Sequence, residues 1–586
     1  MRPSSTVNTR SVKKTASPPR LLTVYPPVYH DDYTLMAASA SLLRGEGLSL
    51  PPYNSTAPLE EAFQGRGSLT PGLSAGYSVA QAIWLKALGL GILQGRLFVW
   101  TMGAVLLLLT YALGARWWNQ WVGLTASLLV MFDASYWYSA RAVRPETWTV
   151  SAYLLAALLL SARSERVRRR VPEAAGALLG IGMCGHPIGA LLAPVVASVP
   201  FFVSGRLPER RFLLRFVIPL ALVVSSYAAY LGLHWDDVRT NLAVHARHRS
   251  LGEKALSEKI SFEWERYHTG YLNSYQLGRG NRVRAYAFIG AAVLLATGVV
   301  AASRRPREHQ WNAAVLFGGG VAVSLLGMAV LAADNNFPYL VNILPWLYLS
   351  GCAGVCCVAR VIAGSRLRVL QRVVYVCAFI VPAEAAHTGI VSYQGDIAPY
   401  RAAGVVGYDR IEELIAQRIE KGSFVIGMET AWLAAERADA QFVYSDVLDQ
   451  WLPAYKRYPV RAVHDGSHVV EYSFDIELLR ELDRAGTTVY CVSDMWDWGW
   501  NAYYPHGEYA RSYVQFREQL DRHFAPELMI FSRDRGLITL HRFVGEEGVT
   551  AGDGPIVYIE SQPYRMEKQI AAESAGLRHG EIQLPA

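Results

Sequence analysis

Long apolar runs, nearly free of charge, alternate with short basic clusters along most of the chain, and the later part switches to mixed polar and apolar patterning. The apolar runs are Leu97–Gly114, Trp121–Tyr138, Thr147–Ala162, Ala174–Gly185, Ile188–Val203, Phe212–Leu233, Ala285–Ala302, Ala313–Ala333, Phe337–Ala359 and Leu370–Ala383. Crossing a bilayer as a helix takes about 20 mostly apolar residues, so these runs predict a polytopic α-helical membrane protein of about ten spans. The two runs flanking His186–Pro187 are short, and the basic residues around them decide how they are threaded. Arg163, Arg166, Arg168, Arg169 and Arg170 precede the pair, and Arg206, Arg210 and Arg211 follow it. The positive-inside rule keeps both clusters cytoplasmic, so the stretch between crosses twice, with His186–Pro187 at the outer tip. Arg304, Arg305 and Arg307, and then Arg360, Arg366, Arg368 and Arg372, fall on the same side by this count. Residues 31–95, 139–146 and 234–284 are then external loops of a transmembrane region spanning 30–390.

Residues 391–586 read as an exported α/β domain with a polar tail from about Gly545. Helical patterns at Arg410–Lys421, Ile476–Ala485 and Tyr513–Phe524 alternate with strand patterns at Ser423–Met428, Thr487–Val492, Leu528–Phe531 and Leu537–Phe543. The last two strands pair across the turn Ser532–Gly536. Residues 1–29 form a polar, basic N-terminal tail. Its apolar stretch, Leu21–Tyr29, contains Pro26 and Pro27 and is too short to cross as a helix. It also lacks the apolar core of a signal peptide, so the N-terminus is external or a first span is missing.

Composition fits this division. The 586 residues are 52% hydrophobic and 18% charged, against about 25% charged in a soluble domain. A disordered chain and an ordinary soluble enzyme are both excluded. The net charge of +7 is explained by the cytoplasmic clusters, and no nucleic-acid partner is implied. Six cysteines cannot staple a chain of this length. Cys352, Cys356 and Cys357 lie within one run at helical spacing, as core residues would.

The candidate chemistry lies in the external loops. Asp31 and Asp32 stand directly before the helical pattern Tyr33–Arg44. There they either cap that helix or serve as a general base or metal ligand at the membrane surface. Arg141 and Arg144 lie outside, against the charge trend, beside Glu146. An arginine pair in that position can hold a phosphate. His186 reads as a structural histidine. His245, His248 and His268 lack the further ligands a zinc site needs. No phosphate-binding glycine loop follows a strand, and no Ser-His-Asp set or zinc-protease helix is present.

In order, these features are the acidic pair His30–Tyr33, the helix ending Leu43–Glu46, and Pro71 and Tyr77 before an amphipathic stretch at Val79–Leu90. Gly95-Arg96-Leu97 opens a span, Ala115–Gln120 makes a short turn, then come Arg141, Arg144 and Glu146, and Tyr339 precedes Pro345. The chain resembles the GT-C glycosyltransferases in this, in particular the branch of protein O-mannosyltransferases and lipid A aminoarabinose transferases. The resemblance covers roughly Tyr25–Ile390. It departs at the family's first span, which is missing. Thr70 stands where a lysine is usual, with Arg66 the nearest base, and Asn335 and Asn336 replace a late basic residue.

The resemblance implies a GT-C-like enzyme in the plasma (inner) membrane, with its C-terminal domain on the non-cytoplasmic side. It would move a hexosyl or pentosyl group from a polyprenyl-phosphate donor to an external protein, lipid or glycan acceptor, with inversion. Asp31 or Asp32 would be the base, and Asp32 is preferred. Arg141, Arg144 and Arg66 would meet the donor phosphate, Tyr77, His186 and Tyr339 would line the substrate, and Glu146 would orient an arginine. A divalent metal ion on Asp32 and Glu146 is an option within this scheme. The competing readings are a transporter or flippase of a lipid-linked sugar and a non-catalytic membrane scaffold. The lack of a visible internal repeat and the gathering of charges at one face favour the enzyme.

Overall fold

The computed structural model describes residues 22, 30–50, 74–162, 171–204, 208–235, 309–331, 337–363, 382–391, 407–427, 431–444, 460–465, 468–494, 508–532, 536–545 and 556–559, with a few short stretches between them. The chain divides into two compact units. One comprises Tyr29–Tyr53 and Arg66–Asp396; the other holds Ile397–Ala586 with Met1–Val28 and Asn54–Gly65.

The first unit is helical throughout its described residues. Helix α1 (His30–Arg44) and α2 (Ala75–Leu88) precede α3 (Ile92–Trp117). Then follow α4 (Gln120–Met131), α5 (Ala134–Ser139), α6 (Glu146–Leu160) and α7 (Pro172–Met183). After a 3₁₀ turn at Pro187–Leu192 come α8 (Ala193–Ala197), α9 (Val199–Ser204) and α10 (Arg210–Leu233). Helix α11 (His309–Leu331), a 3₁₀ turn at Phe337–Asn342 and α12 (Leu344–Ala363) complete the set. Among the described residues, α3 and α10 are long and apolar enough to cross a membrane by length and composition. Several other apolar helices are shorter.

Two predicted runs are broken, each for a local chemical reason. The run Trp121–Tyr138 divides at Asp133, whose carboxylate accepts from the Ser135 amide at 2.8 Å and caps α5. A short polar side chain that bonds nearby backbone competes with helix continuation in this way. The Tyr348 hydroxyl donates to the same carboxylate at 2.8 Å, so the break is anchored on α12. The run Ile188–Val203 becomes a 3₁₀ turn and two short helices, with Pro194 and Pro200 in the first turns of α8 and α9. A proline is tolerated in a first turn and disrupts the helix that would otherwise run through it. The chain does turn at His186, between α7 and the 3₁₀ segment. The runs Ala285–Ala302 and Leu370–Ala383, the loop 234–284 and the basic clusters at 163–170, 304–307 and 366–372 lie mostly or wholly outside the described residues.

Glycine sets the closest helix contacts. Helix α7 carries Gly176 and Gly180 one turn apart, and a Cβ on either would run into α10 at Phe216 or Val223. Small residues at this spacing let two backbones approach, which is how helices associate where lipid removes the hydrophobic drive. Between α3 and α4, a Cβ on Gly123 would lie 2.3 Å from the Tyr111 carbonyl oxygen. Trp117 meets Phe317 edge to face and Phe317 meets Trp346 at a tilt, with ring centroids 6.1 and 5.9 Å apart. The Trp117 indole N–H donates to Ser161 Oγ at 2.6 Å.

The second unit is an α/β fold. Its described elements are α13 (Tyr408–Ala416), β1 (Phe424–Gly427), α14 (Trp432–Arg437), β2 (Gln441–Tyr444), the hairpin β3 (Val460–Asp465) and β4 (His468–Phe474), α15 (Ile476–Arg484), β5 (Val489–Asp494), α16 (Glu508–His523), β6 (Phe524–Ser532), β7 (Gly536–Phe543) and β8 (Ile556–Ile559). The six-stranded sheet runs β2-β1-β5-β7-β6-β8. Strands β2, β1 and β5 are parallel, and β7 is antiparallel to both β5 and β6. Helix α15 forms where Asp475 accepts from the Leu478 amide at 3.0 Å, and its Leu478, Leu479 and Leu482 are buried under the sheet with Phe424, Ile426 and Cys491. The strand at Ile556–Ile559 corrects the expected irregular tail, because it finds an edge partner in β6 that local sequence does not reveal. The β3–β4 hairpin and β2 were likewise not expected.

Replacing Gly123 with Ala pushes a methyl into α3 backbone, and overpacking of this kind costs about 1–3 kcal/mol. Gly319→Ala meets nothing within 4 Å and gains helix propensity. In detergent, the Gly123→Ala protein is expected to melt several degrees lower than wild type, and the Gly319→Ala protein no lower than wild type.

Candidate active site

Asp32 lies in the first turn of α1 and is buried. Its carboxylate does not turn back to cap its own helix. One oxygen faces Arg96 Nη2 at 3.3 Å, and the other accepts from the Val143 amide. The pair is 0% and 1% exposed, so both charges depend on each other and on that amide. Arg96 comes from the first turns of α3, Val143 from the loop between α5 and α6. Gly95 eases the close approach of these three elements. A Cβ there would stand 2.5 Å from Met36 Sδ on α1 and 3.2 Å from the Val143 side chain.

The same loop supplies a second pair. Arg144 Nη2 donates to Glu146 Oε1 at 2.9 Å, and its Nε faces the same carboxylate at 3.2 Å. Glu146 opens α6 and is fully buried, where the positive end of the helix favours its charge. The Arg144 guanidinium lies 5.4 Å from the centre of the Tyr339 ring, and that ring packs on His186 at 5.4 Å. The turn at Cys184–His186 is held from another side: the Gly76 amide at the start of α2 donates to the Cys184 carbonyl at 3.0 Å.

Helix α2 brings Tyr77 into this group. Gln81 Nε2 donates to the Tyr77 hydroxyl at 2.8 Å, and Ser39 Oγ on α1 donates to Gln81 Oε1 at 2.7 Å. Burial pushes the Tyr77 phenol well above its ordinary range; the charges of Asp32 and Glu146 push it further, and Arg144 opposes them. Tyr77 is therefore a neutral hydrogen-bonding group among two carboxylates and a guanidinium.

Asp32, Glu146, Arg144, Tyr77, His186 and Tyr339 thus gather around the N-terminal ends of α1, α2, α3 and α6. Arg141 is engaged differently. Its guanidinium lies 4.3 Å from the Trp137 ring centre and 4.4 Å from that of Tyr393, and its Nη2 donates to the Tyr393 hydroxyl at 2.9 Å. The side chain of Asp31 and the whole of Arg66 lie outside the described residues.

The whole chain was compared with known proteins. No protein-family model matches it, and a search of curated proteins finds no match either. Among solved structures, ArnT from Cupriavidus metallidurans bound to undecaprenyl phosphate aligns at 12% identity with a TM-score of 0.55, covering 91% of this chain and 96% of that one. The apo state of the same ArnT aligns at 12% identity and 0.52, covering 88% and 93%. The chain has the GT-C glycosyltransferase fold.

The paired charges sit in the first turns of α1, α3 and α6 and on the α5–α6 loop. The pairs do not fit a divalent metal as they stand. Asp32 and Glu146 each already face a guanidinium, and no group of three or more His, Cys, Asp or Glu suited to a metal occurs among the described residues. Sequence reasoning passed over Arg96, Gln81 and Ser39 as site residues. Arg96 had a usable signal: an arginine at the start of a long apolar helix needs a partner. Gln81 and Ser39 had none, since polar residues on helices outside the apolar runs are usually solvated.

Removing one member of a buried pair leaves an uncompensated charge, which costs about 3–5 kcal/mol. Arg144→Ala is expected to lower the melting temperature markedly. Adding Glu146→Gln to it should recover most of the loss, as measured by thermal unfolding of the two proteins in the same detergent.

Proposed function

We propose that this chain is an integral-membrane glycosyltransferase that takes a sugar from a polyprenyl-phosphate carrier and passes it to an acceptor at the external face. The observation that carries the reading is the joining of Asp32, Arg96, Arg144 and Glu146 at one end of a bundle with the GT-C fold. The neighbour ArnT holds undecaprenyl phosphate, and a ligand of that chemistry suits this chain. A lipid tail needs an apolar groove between helices, and its phosphate needs cations at the outer end.

In this reading the acceptor hydroxyl binds beside Asp32 and attacks the anomeric carbon. Asp32 takes the hydroxyl proton. Each carboxylate oxygen has lone-pair capacity beyond the bonds to Arg96 and Val143, so orientation does not consume its basicity. The carrier phosphate leaves as an anion, so it needs charge stabilisation and no proton. Arg144 supplies this charge, with Glu146 fixing its guanidinium and Tyr339 lying beneath it. Tyr77 offers a neutral hydrogen bond in the same space. A single displacement of this kind inverts the anomeric centre, since no covalent sugar–enzyme intermediate intervenes. The exported α/β unit, on the non-cytoplasmic side, leaves the acceptor class open among proteins, lipids and glycans.

The test uses the purified full-length protein in lipid vesicles, supplied with radiolabelled undecaprenyl-phosphate sugars and a crude envelope extract as acceptor. Release of undecaprenyl phosphate with label transfer is the expected result; movement of intact donor across the vesicle without cleavage would instead identify a flippase. Loss of a general base slows catalysis about 10²–10⁴-fold. Asp32→Asn should therefore fall in that range while still binding undecaprenyl phosphate, and turnover within threefold of wild type would remove Asp32 from the role. Arg144→Lys should raise the KM for donor more than that for acceptor.

A further inference from the structure

We infer that Arg141, Trp137 and Tyr393 form a clamp that positions the Ala140–Pro145 loop, and that Arg141 acts through this loop rather than on the donor phosphate. The inference rests on the reading of Asp32 and Arg144 as the transfer site, and it assigns a different task to an arginine two and three residues from their contacts. The geometry is a three-body stack. Trp137 and Tyr393 lie face to face at 4.5 Å with an interplanar angle of 19°. The Arg141 guanidinium lies within cation–π reach of both rings, at 4.3 and 4.4 Å, and donates to the Tyr393 hydroxyl at 2.9 Å. Arg141 is 8% exposed, and its planar fork stacks and donates at once, which a lysine cannot do.

The stack stands on rigid parts. Trp137 belongs to α5, whose start is fixed by Asp133 between the Ser135 amide and the Tyr348 hydroxyl. Ala140, at the end of α5, rests on α3 at Gly103, where an added Cβ would lie 2.8 Å from the Ala140 methyl. Tyr393 enters from far along the chain, three residues short of Asp396, the last residue of the helical unit. Immediately after Arg141 the loop delivers the Val143 amide to Asp32 and Arg144 to Glu146. Fixing the backbone at 141 therefore fixes both contacts, since the intervening residues leave little slack.

Hydrogen–deuterium exchange of the full-length protein tests the clamp without any need for turnover. In wild type the Val143 amide is protected by its bond to Asp32. Tyr393→Leu should speed exchange in peptides covering 140–147 at least tenfold, with peptides from α3 unchanged. Tyr393→Phe, which keeps the stack, should change it less than threefold. Unchanged exchange in Tyr393→Leu overturns the inference whether or not the protein transfers sugar. Where transfer from undecaprenyl-phosphate sugar is measured, Tyr393→Leu should lower kcat at least tenfold with donor KM within threefold. A raised donor KM at unchanged kcat in Arg141→Lys would return Arg141 to the phosphate and also overturn it. Should Tyr393→Leu not survive extraction, Arg141→Lys carries the exchange measurement, because it keeps the charge and loses the planar stack.

Discussion

The carboxylate of Asp32 is the junction on which one end of the helical unit depends. It joins α1 to α3 through Arg96 and joins both to the α5–α6 loop through the Val143 amide. A buried carboxylate without partners would be too costly to keep ionised, and a buried guanidinium likewise. Each makes the other tolerable, and the amide completes the set. Gly95 eases this arrangement by leaving the Met36 and Val143 side chains room against α3. A carboxylate built to stabilise three elements also arrives in a fixed orientation, which is what a group meeting a reacting hydroxyl requires.

Beneath that junction the bundle follows a different logic. Its helices are held by glycine contacts, aromatic stacking and a few internal hydrogen bonds, such as Tyr348 to Asp133 and Trp117 to Ser161. In an apolar solvent the hydrophobic effect does not drive helices together, so close packing and satisfied polar groups must. The α/β unit holds together by other means. Its sheet is covered by amphipathic helices, among them α15, whose leucines repeat at helical spacing.

The paired charges also separate two roles that a list of conserved-looking residues would merge. Arg96 and Arg144 each face a carboxylate, whereas Arg141 lies against the stacked Trp137 and Tyr393 rings. An arginine committed to two rings and a phenol contributes rigidity, whereas Arg144 lies over the Tyr339 ring while bound to Glu146. Tyr339 and His186 support the latter, with the histidine packed as a structural residue against the tyrosine.

The sequence alone was sufficient for the helical, membrane-type architecture of the earlier part and the α/β character of the later part. These features are written in period and in charge placement, which are local properties of the chain. It could not indicate that Asp133 and the prolines would break two apolar runs, that Ile556–Ile559 would join a sheet edge, or that Arg96 would face Asp32 across a gap of 64 residues. Nor could it separate Arg141 from Arg144, two similar residues three positions apart. Which guanidinium meets a carboxylate and which lies against aromatic rings depends on Tyr393 and Glu146 arriving beside them. Partners distant in sequence become neighbours only when the helices pack, and that packing is set by shape and burial over the whole unit rather than by any local pattern.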